Sequence, residues 1–230
     1  MKIVRFVWGA LVVLLALNPV FADELRLNSD INIQKAINQT GFSLLNANNY
    51  EQRVTFCYIP QNKPKTKINK RLNKICVYKG LLPYVEDTNE LAALLSLEIA
   101  KLMDIKADFF RQFSISYSPR KYEMKADKKA ADLMVKAGYN PVALINYINK
   151  TAPEPDWFEY NIMHHKGSGR TAYIYQYIYE KYPVYLAQNN YLKDFEYQNF
   201  LRITPAQRKK VRIIQEERIK IQESDVNDIQ

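Results

Sequence analysis

From Thr88 to Met103 the chain reads as a helix with almost no polar side, because Leu91, Ala92, Ala93, Leu94, Leu95, Leu97, Ile99, Ala100, Leu102 and Met103 occupy nearly all of its faces. A helix that is hydrophobic all round has to be enclosed by other elements, so the fold is expected to be assembled around this segment. Asp87 offers an N-cap, and Glu90 three residues later completes a capping-box pattern. Within the helix, Glu98 and Lys101 stand at i and i+3 and therefore face the same way.

The remaining elements are expected to wrap this helix. Ile31 to Asn46 reads as an amphipathic helix marked by Ile33, Ile37, Leu44 and Leu45, with Gly41 inside it. Val54 to Ile59 and Lys74 to Tyr78 read as strands, joined by the polar, Lys-rich segment from Pro60 to Asn73, so that a long antiparallel hairpin is expected. Ser118 and Pro119 supply an N-cap and first-turn proline for a second long helix ended by Gly138, and Asn140-Pro141 opens a third over Val142 to Asn149. Pro153, Pro155, Gly167 and Gly169 mark a loop from Thr151 to Gly169. The run from Thr171 to Tyr182 is ambiguous: tyrosines at 173, 175, 177 and 179 alternate as in a strand, whereas Ile174 and Ile178 are spaced for a helix. Thr204-Pro205 starts a basic helix ending near Gln222. The tyrosines are expected to pack in the core and at its rim. The fold class expected is α+β, helix-rich, with a small β-hairpin or sheet packed on a central buried helix.

Residues 1–22 have the order of a secretory signal: Lys2 and Arg5, an apolar stretch from Phe6 to Leu17, then Val20-Phe21-Ala22 as a cleavage site. The apolar stretch is shorter than the ~20 residues of a bilayer span, which favours a cleaved leader over a retained membrane anchor. Residues 23–204 are then expected to form the main domain and residues 205–230 a basic C-terminal helix and tail. The chain of 230 residues carries a formal charge of +9, and loss of Lys2 and Arg5 with the leader would leave it still strongly basic. For an exported periplasmic or secreted protein that charge points to an acidic partner, an anionic membrane surface or a cell-wall polymer, not to nucleic acid. Cys57 and Cys76 are the only cysteines, an even pair in an exported chain and a candidate disulfide. Two buried free thiols are the other reading.

Residues Leu97-Glu98-Ile99-Ala100-Lys101 have the outline of HExxH, in which two His at i and i+4 hold a metal and the Glu serves as general base. Here the Glu is present and both histidines are replaced. Around it lie Ile75-Cys-Val-Tyr-Lys-Gly-Leu-Leu82, Ser118-Pro-Arg-Lys-Tyr-Glu-Met-Lys-Ala-Asp127, Ala137-Gly-Tyr-Asn-Pro141, and His164 six residues before Arg170. In that order the pieces, spanning roughly residues 45 to 185, resemble the HtpX and CAAX-prenyl-protease type of zinc metallopeptidase, in its small soluble periplasmic branch. That resemblance implies a gluzincin-like domain with Glu98 at the general-base position, Glu123 at the third zinc-ligand position and Asp127 supporting the site. It places His164 and Arg170 near the substrate carbonyl, and Leu97 and Lys101 where the two ligating histidines would stand, and it favours helix over strand for the run from Thr171 to Tyr182.

Leu97 has no lone pair and Lys101 is a cation at neutral pH, so the resemblance implies ancestry more readily than zinc chemistry. The only histidines, His164 and His165, fall in the late loop, where a solvated turn is the ordinary role. Loss of the metal would leave Glu98 and Glu123 facing each other, with Lys101 as the available counter-charge, unless Glu98 and Lys101 form only a helix-surface pair. Three functions follow as expectations. The first is an inactive pseudoprotease with no cofactor, binding a peptide or an envelope-protein segment through the old cleft. The second is an active zinc metalloendopeptidase with non-standard ligands. The third is a structural or inhibitory partner whose cleft is filled.

Overall fold

The computed structural model describes residues 29–106, 119–152, 167–210, 212–214 and 216–217. Its elements are α1 (Asp30–Ala47), β1 (Thr55–Ile59), β2 (Thr66–Asn69), β3 (Lys74–Tyr78), a 3-10 turn (Lys79–Tyr84), α2 (Thr88–Lys106), α3 (Pro119–Lys136), α4 (Ala143–Thr151), α5 (Gly167–Lys181), α6 (Pro183–Ala187) and α7 (Phe195–Ile203). A further helical segment runs over 205–210. The class is α+β, as the hydrophobic pattern predicts, with one three-stranded sheet among the described residues. The proposed leader, residues 1–22, lies outside them, as do Ser118, His164 and His165. None of the helices among the described residues is long and apolar enough to cross a membrane.

α2 occupies the centre. Leu91 to Leu95, Leu97, Ile99, Ala100 and Leu102 are all buried, and the helix packs against α1, α3 and α4. Asp87 caps it, accepting from the Glu90 amide at 2.7 Å, while the Glu90 side chain reaches back to the Glu86 amide at 2.7 Å. The capping box is thus displaced by one residue from its usual partner. Glu90 also takes a buried ion pair with Lys150 of α4 at 2.8 Å, and Tyr191 donates to the other Asp87 oxygen at 2.7 Å. One end of α2 therefore ties down both α4 and the turn before α7.

The sheet differs from the expected hairpin. β1 and β3 are adjacent but parallel, and β2, drawn from the Lys-rich connection, pairs antiparallel with β3 to give the order β1-β3-β2. Parallel neighbours need a crossover of about a dozen residues or more, and the polar segment is long enough to provide one and to donate an edge strand on the way. The register places Cys57 opposite Cys76, and the two are disulfide-bonded. Closing a loop of that size stabilises by about 3 kcal/mol in the chain-entropy account.

α1 covers β1. Gly41 permits this approach, because a Cβ there would lie 2.6 Å from the Phe56 ring. The Gln34 amide of α1 also closes the outer edge of β1, donating to the Phe56 carbonyl at 3.2 Å and accepting from the Tyr58 amide at 2.7 Å. α3 ends at Lys136, and Gly138 follows with φ of 79°, the left-handed cap that glycine adopts without strain.

The run from Thr171 to Lys181 is helical, as the resemblance implies, and one boundary is corrected: α5 begins at Gly167, inside the segment read as loop. Its tyrosines divide by helical spacing. Tyr177 packs toward α3, where it and Tyr182 both donate to Asp132 Oδ1 at 2.8 and 2.7 Å, beside Lys181 at 2.9 Å. The helices α6 and α7 were not legible in the sequence.

Burial acts to raise the Asp132 carboxyl, but the donors from Tyr182, Lys181 and Tyr177 prevail and hold it below its ordinary value of 3.8. A depressed folded-state pKa stabilises the protein above the unfolded value and loses that contribution as pH falls. Asp132→Asn should lower stability at neutral pH by about 1 kcal/mol, a figure kept small because the site is partly solvated. Its melting temperature should also fall less steeply than that of the parent protein below pH 3.8. Thermal melts across that range check both effects; parallel curves would rule the contribution out.

Candidate functional site

The motif residues converge beside the buried flank of α2. Glu98 and Lys101 come from α2, Glu123 and Asp127 from α3, Tyr147 from α4, and Arg170 from the first turn of α5. Glu123 and Asp127 lie four residues apart on one helix and so share a face. The full burial of α2 fixes the height of Glu98, and the packing of α3 and α5 against each other fixes the distance between Asp127 and Arg170.

The Lys101 ammonium lies 2.7 Å from Glu98 Oε1, with the Glu98 side chain 8% exposed and that of Lys101 42% exposed. The arrangement is intermediate between the two expectations of the sequence. It is not a surface pair, because the carboxylate is buried. It is not a fully enclosed ion pair either, because the stem of Lys101 brings its cation in from the solvent side.

Asp127 is fully buried and receives both prongs of the Arg170 guanidinium, Nε at 2.7 Å and Nη2 at 2.6 Å. Burial pushes the Asp127 carboxyl up, against the pull of Arg170. Burial would likewise lower the guanidinium, but the Asp127 carboxylate outweighs it and holds Arg170 above its ordinary range. The two-pronged contact has the fork geometry in which a guanidinium holds a carboxylate. Arg170 has two of its donors committed to Asp127 and so acts as a strut between α5 and α3. The Tyr147 hydroxyl is held well above its usual range, by burial first and then by the Glu98 carboxylate. It is a neutral phenol in this site.

Among the described residues, which leave out His164 and His165, the donor chemistry does not fit a zinc ion. Leu97 is buried and apolar, the Lys101 ammonium is spent on Glu98, and both Asp127 oxygens are spent on Arg170. Among the described residues no three His, Cys, Asp or Glu side chains group as a metal site. A catalytic zinc takes about three protein ligands and an open position, and a cation at Lys101 repels it.

Sequence reasoning found five of these six residues through the motif pattern. It missed Tyr147, which sits on a helix whose buried face gives no chemical signal. It missed the Glu90–Lys150 pair as well, although a Glu inside an apolar helix is itself a cue that a cation must be near. Comparison with protein-family models, with curated proteins and with solved structures found no significant match. The metallopeptidase resemblance rests on the motifs alone.

The two ion pairs differ in burial, and their removal should differ in cost. Arg170→Ala leaves a fully buried carboxylate without its partner and should destabilise by about 3 to 5 kcal/mol. Lys101→Ala uncovers a carboxylate that water can reach through the vacated space, and should cost about 1 to 3 kcal/mol. Urea unfolding of the two variants gives the order directly. An Arg170→Ala protein as stable as the parent would mean that the Asp127 pairing is wrong.

Proposed function

We propose that this chain is an exported, catalytically inactive relative of zinc metallopeptidases that binds an extended peptide or protein segment in the cell envelope. The single observation that carries this reading is the Lys101–Glu98 contact: an ammonium occupies the place where a ligating histidine would stand, and it neutralises the residue in the general-base position. A general base held by an ammonium in this way is ill-placed to take a proton from water. The Cys57–Cys76 disulfide supports an oxidising compartment, in line with the leader-like residues 1–22.

The surface best suited to a peptide is the edge of the sheet. β1 is closed by Gln34, whereas β2 is the other edge of the β1-β3-β2 sheet and lies against α2. Lys65 bonds across to Tyr78; the alternation of an antiparallel ladder then directs the main-chain groups of Thr66 and Ile68 outward. An extended segment can add there as a further strand. The exposed Lys63, Lys65, Lys67, Lys70 and Arg71 surround this edge. They discourage pairing with a second copy of the same strand and favour a segment that carries acidic side chains.

Thr66→Pro tests the reading with little risk to the fold, because it removes only an outward-facing amide on an edge strand. A fluorescent acidic peptide in extended form should bind the parent protein and remain intact, and the variant should bind it about tenfold more weakly. Hydrolysis of the peptide, or equal binding by the variant with an unchanged circular-dichroism melt, would refute the proposal.

A further inference from the structure

A second concave surface lies away from the motif residues, between α5 and the C-terminal helical segment, with a volume of about 500 Å³. α5 contributes Tyr175 and Tyr179, which helical spacing puts one turn apart on the same face. The opposite wall carries Arg208, Lys209, Arg212 and Glu216. Three cations and one carboxylate thus face the tyrosines across the groove.

The cations are not equivalent. Arg208 is held in place: its Nε donates to Thr204 Oγ1 at 3.1 Å and its Nη2 to the Leu201 carbonyl at 2.9 Å. Its guanidinium also lies over the rings of Tyr175 and Phe200, at 5.5 and 5.6 Å from their centroids. A guanidinium has five N–H groups, so this one keeps donors to spare while its plane is fixed. Arg212 is paired with Glu216 at 2.9 Å. Lys209 is exposed and has no partner among the described residues. Once Glu216 is set against Arg212, two positive charges remain beside aromatic faces, one fixed by its hydrogen bonds and one exposed.

We propose that this groove is a binding site for a phosphate monoester. A phosphate monoester carries about −1.5 to −2 charges at neutral pH, which matches the surplus of two cations better than the single charge of a carboxylate does. Its tetrahedral oxygens suit a fixed guanidinium and a movable ammonium. The tyrosine faces accommodate whatever ring or apolar body the phosphate is attached to. The inference is independent of the peptide edge: it involves other residues on other elements.

The ligand group can come from a phosphorylated sugar or from a lipid headgroup, and two probes distinguish them. Glucose 1-phosphate titrated calorimetrically into the purified protein reports the soluble source. Co-sedimentation with phosphatidylcholine vesicles containing phosphatidic acid reports the lipid source. Binding of either probe, weakened on the order of tenfold by the double variant Lys209→Ala and Arg212→Ala, supports the site. The double variant Lys70→Ala and Arg71→Ala, which removes equal charge near β2, should leave that binding unchanged. Arg208 is left intact in these tests because it also caps the end of α7. Three results would overturn the proposal: binding of neither probe, equal loss in the two double variants, or an acidic pentapeptide bound in the groove as tightly as the phosphate.

Discussion

Burying α2 on nearly every side forces a partner on each charge that the buried stretch carries. An unpaired carboxylate in such a place would cost several kcal/mol. Glu90 meets Lys150 from α4 and the amide of Glu86; Glu98 meets Lys101 one turn along its own helix. The apolar residues of α2 determine where α1, α3 and α4 pack, and its two buried glutamates determine what those neighbours and the helix itself must supply. Asp127 and Arg170 repeat the same logic between α3 and α5.

This pattern of pairing bears directly on function. In a metal site, carboxylates at these positions would share the charge of the ion. Here the same carboxylates are balanced by organic cations built into the chain, one from a lysine with a solvated stem and one from a buried arginine. The geometry brings the motif residues together, and among the described residues no three His, Cys, Asp or Glu side chains group as a metal site. On the proposed reading such a surface serves recognition, with the edge of β2 beside α2 as the place where an extended partner would be held.

Much of this was legible before the structure. The all-round apolarity of residues 88–103 marked the central helix, and Asp87 with Glu90 marked its start. The motif order brought Glu98, Lys101, Glu123, Asp127 and Arg170 to one place. What escaped the sequence did so for physical reasons. The parallel pairing of β1 and β3 depends on which strand reaches the middle of the sheet, and hydrophobic alternation is the same for either direction. β2 is short, Lys-rich and one-sided, so its residues look like a loop. The tyrosine run satisfied two periods at once, so its residues alone did not choose; the motif order favoured a helix, and packing against α3 and α4 accommodates one. That Arg170 is a strut held by Asp127 needed the packing of α5 on α3, which the sequence pattern does not give.

The claim on which the account turns is that the Lys101 ammonium has taken over the charge-balancing role of a metal at Glu98. Native mass spectrometry of the purified protein after incubation with excess zinc and buffer exchange tests it most directly. The account predicts the mass of the metal-free chain, for the parent protein and for Glu98→Gln alike. One zinc ion retained per parent chain and lost in Glu98→Gln would contradict it.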